Sequence, residues 1–264
     1  FTEEALQFIE KNKAGPFFLY LAYTIPHANN EAGKIAGMEV PSDEPYTKET
    51  WPQPQKNHAA MITRMDRDIG RIFELLTKLK LDDNTIVFFS SDNGPHQEGG
   101  GNPFFFRSSG PLRGFKRSLH EGGVRVPMIV RWSGKVPAGK TSDQVWAFWD
   151  FLPTVMELAG GKTPEGLDGI SVVPTLLGQG KQKQHEYLYW EFHEQGFQQA
   201  MRMGEWKAVR DKVNGPLELY DLSKDLGEEK NVAAANPAVI QQLEKLFKGA
   251  RVDSPNWPIK GGKK

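Results

Sequence analysis

Two apolar runs of strand length flank one long amphipathic helix pattern, and that alternation limits the fold more than any other feature. Phe17-Phe18-Leu19-Tyr20-Leu21-Ala22-Tyr23 and Thr85-Ile86-Val87-Phe88-Phe89 are nearly continuous apolar runs. Such runs suit strands covered on both faces, as in a parallel sheet. Between them Ile62, Met65, Ile69, Ile72, Phe73, Leu76 and Leu79 recur at three- and four-residue spacing, which predicts a helix over 55–80. Thr2 to about Lys13 predicts an earlier helix stopped by Gly15-Pro16, and Val126 to Trp132 predicts a third strand. This order predicts an α/β fold with a mostly parallel sheet and helices on both faces. Residues 28–54 read as a surface loop. Residues 94–123, with eight glycines and no period, read as a functional loop.

The character changes near residue 180, after a Gln/Lys-rich linker at 178–184. Short runs at Tyr187–Phe192, Gln199–Met203, Trp206–Arg210 and Leu217–Tyr220 predict a small antiparallel sheet, and Pro237–Phe247 a closing helix. The expected division is therefore 1–180, an α/β domain, and 181–264, a small α+β subdomain. The 33 basic and 33 acidic side chains cancel, which argues against a nucleic-acid surface. No apolar run approaches the roughly 18 to 20 residues of a membrane span. The absence of cysteine excludes a disulfide scaffold, Cys-ligated zinc, an iron–sulfur cluster and a cysteine nucleophile. Phe1 opens directly onto Thr2-Glu3-Glu4, a capped and acid-started helix, and the expectation is a piece of a longer chain.

Three segments can carry chemistry. Ser90-Ser91-Asp92-Asn93-Gly94 ends an apolar strand; Asp92 and Asn93 offer hard oxygen ligands for calcium or magnesium, or form an ordinary turn. Pro26-His27 also ends a strand, and a histidine there can bind an anion, act as general acid, or be structural. Arg113, Lys116 and Arg125 crowd a glycine-rich segment, as an anionic substrate group requires or as a solvated basic loop allows. His193 lies between the first two small-domain strands, either reaching a sugar or exposed at a strand end. His96 and His120 either line the pocket or belong to loops, and His58 reads as structural. Trp146, Trp149, Trp190 and Trp206 read as core.

The ordered set Thr24-Ile25-Pro26-His27, Phe89–Gly94, Leu112-Arg113-Gly114-Phe115-Lys116 and Glu121–Pro127 resembles the sulfatase family of the alkaline-phosphatase superfamily. Asp150–Thr154, Leu167-Asp168-Gly169, Met203–Lys207 and Glu218–Leu222 extend the likeness over nearly the whole chain. The nearest flavour is the arylsulfatase A and N-acetylgalactosamine-6-sulfatase branch.

The resemblance implies that Asp92 and Asn93 are two ligands of a divalent cation, usually calcium (Ca2+). It implies that Lys116 contacts sulfate, and that His27 binds sulfate and protonates the leaving oxygen. Arg113 and His193 join them as expected substrate contacts. His27, Asp92, Asn93 and Lys116 are expected on one cleft. The implied substrate is a sulfate monoester on a small molecule, aryl group or glycan, and the implied compartment is periplasmic, extracellular or lysosomal.

The family's nucleophile is a formylglycine made within Cys/Ser-x-Pro/Ala-x-Arg after an Asp-Asp pair; both are expected outside this segment. Ser109-Gly110-Pro111-Leu112-Arg113 fits the pattern literally, but has Leu where a small residue belongs and lies between Asn93 and Lys116. It reads as a decoy, and the segment alone is expected to be inactive. The alternatives are a phosphodiesterase or phosphonate hydrolase of the same superfamily, or a non-catalytic anion-binding relative.

Overall fold

The computed structural model describes residues 1–33, 36–194 and 196–259. In chain order the main elements are α1 (Thr2–Asn12), α2 (Gln53–Lys78), β1 (Val87–Ser90), α3 (Glu121–Val124), β2 (Met128–Arg131), α4 (Phe151–Leu158) and α5 (Val173–Leu177). They continue with β3 (Leu188–Phe192), β4 (Gln198–Met203), β5 (Trp206–Arg210), β6 (Glu218–Asp221) and α6 (Pro237–Ala250). The chain packs as two compact units. The first comprises residues 1–90, 95–108 and 128–136, and the second 91–94, 109–127 and 137–264. Residue 180 lies inside the second.

In the first unit, α1 carries Glu3 and Glu4 in its first turn and Lys11 in its last, each opposite in sign to the helix end it occupies. Its buried side includes Ala5 and Ile9. Arg71 of α2 pairs with Glu3 at 2.6 Å, and Thr2 Oγ1 donates to Asp68 Oδ2 at 3.0 Å. These contacts tie α1 to α2. Strand β1 pairs antiparallel with β2, from Val87 opposite Arg131 to Ser90 opposite Met128. Arg131 then grips both carboxylate oxygens of Asp82, at 2.6 and 2.9 Å. Those hydrogen bonds hold the Asp82 carboxyl below the usual carboxylate range.

The expected parallel sheet is not found among the described residues: both described sheets are antiparallel. Residues 17–23 belong to neither. A continuous apolar run reads as a strand covered on both faces only where neighbours lie on both sides. Here Phe18 is 69 % and Tyr20 81 % exposed, while Leu19 between them is half-buried.

In the second unit, β3, β4, β5 and β6 form the expected antiparallel meander in sequence order. Its register places Met201, Ala208 and Leu219 in one row, which packs on Leu243 and Phe247 of α6. Ala200 and Val209 face the opposite way and pack with Tyr220 against Leu119 of the glycine-rich segment. A meander buried on both faces explains why Trp206–Arg210 alternates so weakly between apolar and polar. Asp150 and Gly169 meet through the backbone. The Asp150 carboxylate accepts from the Ala147 and Ile170 amides at 2.8 Å and pairs with His185 at 2.9 Å. A Cβ on Gly169 would lie 1.9 Å from the Trp149 carbonyl, so glycine is required there.

Candidate active site

His27 belongs to the first unit, directly after the extended run ending at Thr24. Its Nδ1 lies 2.7 Å from the Ala28 carbonyl, which assigns the ring proton to Nδ1. Its Nε2 faces Glu98 Oε2 at 3.3 Å, and nearly half of the side chain is exposed. His96 stacks on it with ring centroids 5.6 Å apart. The buried His96 accepts the Glu98 amide at Nδ1, at 3.1 Å, so its proton is on Nε2, which donates to the Pro26 carbonyl at 3.1 Å. His96 therefore fixes the peptide immediately before His27. On the other side of His96 lies His58 of α2, with centroids 5.8 Å apart. Burial pushes the His58 imidazole down to about 4, with His96 adding to the effect. His58 is thus neutral near pH 7 and packs against His96. His96 supports His27 from behind. Glu98 carried no sequence signal, because nothing in Gln97-Glu98 marks it off from an ordinary loop pair.

Asp92, Asn93, Arg113, Lys116 and His193 lie in the second unit. Asp92 is exposed at the end of β1, Asn93 is half-buried and Gly94 is buried. Asn93 Nδ2 donates to the Gly94 carbonyl at 2.8 Å, which leaves Oδ1 as the amide atom available to a cation. The turn is held from below by α3. The Gly94 amide donates to the Gly123 carbonyl at 3.0 Å, and a Cβ on Gly94 would lie 1.9 Å from Gly122 O. The expected structureless loop therefore contains a short helix whose glycines permit backbone-to-backbone contact.

Lys116 is half-buried in a tight turn closed by the Ser118 amide on the Phe115 carbonyl at 2.9 Å. Arg117 occupies the third turn position with φ +76, a conformation glycine usually supplies, and Glu194 holds its guanidinium at 2.6 Å. Arg113 turns its Nη1 to Tyr220 Oη and to the Glu228 carbonyl, both at 2.9 Å. His193 Nε2 pairs with Glu191 at 2.9 Å, and its ring packs 5.1 Å from Phe197 and 5.8 Å from Trp257. Ser109 Oγ donates to the Gly114 carbonyl at 2.9 Å, closing a turn.

Beneath this segment lie three charged residues that sequence reading missed. Lys207 is 0 % and Glu121 2 % exposed, and they pair at 2.9 Å. Glu228, also fully buried, accepts the Glu121 amide at 2.7 Å with φ +52. Burial pushes its carboxyl up to about 7. His120 is buried beside them and is pushed down to about 4 by burial, then by Arg113 and Lys207.

As cation donors, Asp92 and Asn93 fit calcium in kind: both offer hard oxygens, side by side at an open strand end. They supply two of the six to eight ligands such an ion takes. Among the described residues no group of three or more His, Cys, Asp or Glu side chains is arranged to hold a metal. No helix among them is long and apolar enough to cross a membrane.

The sulfatase family model matches residues 1–161, and that of the N-sulphoglucosamine sulphohydrolase C-terminal region matches 114–253. The human N-acetylgalactosamine-6-sulfatase is 34 % identical over 199 residues, covering 72 % of this chain and 34 % of that protein. The solved structure of Ps i-CgsB in complex with k-i-k-neocarrahexaose superimposes with a TM-score of 0.82 at 32 % identity, covering 98 % of this chain and 56 % of that one. A weaker likeness is to the phosphonate monoester hydrolase of Agrobacterium radiobacter, with a TM-score of 0.57 at 26 % identity, covering 74 % of this chain and 40 % of that one. The chain spans half or less of the length of the curated relatives it matches.

Proposed function

The chain belongs to the sulfatase family, and on that premise we propose that it is the C-terminal portion of a sulfuric-ester hydrolase. Its substrate is a sulfate monoester carried by a glycan or an aryl group. The single observation that carries this reading is the Asp92-Asn93 turn at the end of β1, within the segment matched by the family model and supported by the α3 glycines. In this reading Asp92 and Asn93 ligate calcium, and further ligands and the formylglycine nucleophile come from outside the segment. Held there, a calcium ion would supply charge withdrawal from the ester's sulfate oxygens.

The chain's own groups do the rest. The Lys116 ammonium neutralises a sulfate oxygen. His27 keeps its Nδ1 proton on the Ala28 carbonyl, so Nε2 is the nitrogen that hydrogen-bonds sulfate and delivers a proton to the leaving oxygen. Arg113 and His193 are assigned to the substrate's periphery, where their protein partners orient them. The proposed domain division remains near residue 180, and the proposed compartment is periplasmic, extracellular or lysosomal. A phosphonate or phosphodiester substrate is the second reading, supported by the weaker structural likeness.

The test is turnover by the full-length protein bearing its formylglycine. Release of sulfate from an aryl sulfate or a sulfated disaccharide, dependent on calcium and lost in Asp92→Ala and His27→Ala, is expected. Zinc-dependent hydrolysis of an aryl phosphonate with no sulfate release would replace this reading with the second.

A further inference from the structure

We infer that Lys207 and Glu228 are positioning residues for the Asp92–Asn93 turn, acting through Glu121 and the Gly122–Gly123 backbone of α3. The inference rests on the reading of Asp92 and Asn93 as cation ligands.

The contacts form one continuous chain. Lys207 Nζ holds Glu121 Oε1 at 2.9 Å, and Arg202 Nη1 lies 3.5 Å from Oε2. Glu228 Oε2 accepts the Glu121 amide at 2.7 Å, so both the side chain and the backbone of that residue are fixed. The next two residues carry no side chain and are wedged between other backbones. A Cβ on Gly122 would meet the Gly114 carbonyl at 2.3 Å and that of Arg113 at 2.5 Å. One on Gly123 would meet the Ser118 carbonyl at 2.0 Å. Above them sits Gly94, bonded to Gly123 O and equally without room, and next to Gly94 is Asn93. Glu121 is thus joined to the turn by close backbone contacts alone, so a displacement of Glu121 passes to the ligands.

A buried ion pair is a poor stabiliser, because two apolar side chains of similar volume serve as well or better. Lys207 and Glu121 are almost completely removed from water, on the meander face that otherwise packs Val209, Tyr220 and Leu119. What the pair supplies that an apolar contact does not is direction: three donors and a fork of two oxygens define one separation and one register. Supports behind metal ligands ordinarily govern affinity by one to two powers of ten.

The experiment compares Lys207→Met, the double variant Glu121→Leu/Lys207→Met, and Asp92→Ala. In the full-length protein without metal, hydrogen exchange is read at the Gly94 amide and at amides of β5 and α6. In the full-length protein, calcium affinity is read by calorimetry. In both Lys207 variants Gly94 is expected to exchange roughly tenfold faster relative to β5 and α6. Calcium affinity is expected to fall roughly 10- to 100-fold. The double variant is expected to regain thermal stability without regaining Gly94 protection or affinity. If it regains all three, or if Gly94 protection never changes relative to β5 and α6, the pair is only structural and the inference is overturned. If Lys207→Met does not fold, the double variant decides alone. Faster Gly94 exchange with unchanged calcium affinity, while Asp92→Ala abolishes binding, also overturns it. Unchanged affinity in Asp92→Ala instead overturns the ligand reading, a separate outcome.

Discussion

The Gly94 amide and the Gly123 carbonyl are bonded at 3.0 Å, and the approach is so close that Gly94 has no space for a side chain. The turn carrying Asp92 and Asn93 is therefore seated directly on the backbone of α3. Gly94→Ala should destabilise the chain by about 1–3 kcal/mol, the usual cost of overpacking. Urea unfolding of the 264-residue chain measures this. A change below a few tenths would mean that the seat is looser than the contact indicates.

His96 joins two peptides through one ring. His96→Phe keeps an aromatic ring beside His27 but leaves the Pro26 carbonyl and the Glu98 amide without this partner. A loss of about 1–3 kcal/mol is expected in urea unfolding. If the proposed role of His27 holds, kcat of the full-length protein should fall more than KM rises, since the change disturbs the placement of His27 and not the outer substrate contacts.

Ser109 spends its hydroxyl proton on the Gly114 carbonyl and takes no part in the proposed chemistry. The 264-residue chain should release no measurable sulfate from an aryl sulfate, because loss of an activated nucleophile costs about six powers of ten. Ion chromatography of released sulfate is the assay. Turnover abolished by Ser109→Ala would establish that serine as the nucleophile.

The buried ionisable groups give opposite pH dependences. Glu228 has its pKa raised from 4.5 to about 7 on folding, so its contribution is complete below 4.5 and is lost as pH rises toward 7. Glu228→Gln keeps an acceptor for the Glu121 amide and removes the titration. It should raise the melting temperature at pH 8 relative to wild type, and change it less at pH 5. His58 and His120 fall from 6.5 to about 4, so their contribution is complete above 6.5 and is lost as pH falls to 4. His58→Phe should flatten that acid limb. Thermal melts from pH 4 to pH 8 separate the two effects.

The local patterns carried much of the architecture. The spacing of Ile62, Met65, Ile69 and Ile72 predicts α2, and the four short runs after residue 186 predict the meander, because helix and strand periodicity depend on neighbours a few positions apart. The family motifs were legible for the same reason, and residues such as Gly169 now have a physical cause in the Trp149 carbonyl against which they lie. Other features depended on distant partners. Phe17–Tyr23 read as a strand buried on both faces, yet Phe18 and Tyr20 are exposed, since a run of apolar residues does not specify what covers it. Lys207 and Glu121 entered the sequence reading only as members of family motifs, with no role of their own. They are 86 positions apart, and only the packing of the meander against the loop takes both out of water and makes each the other's counter-charge. Composition and periodicity set which segments become helices and strands; desolvation, which depends on what a segment packs against, decided which charges hold the candidate site in place.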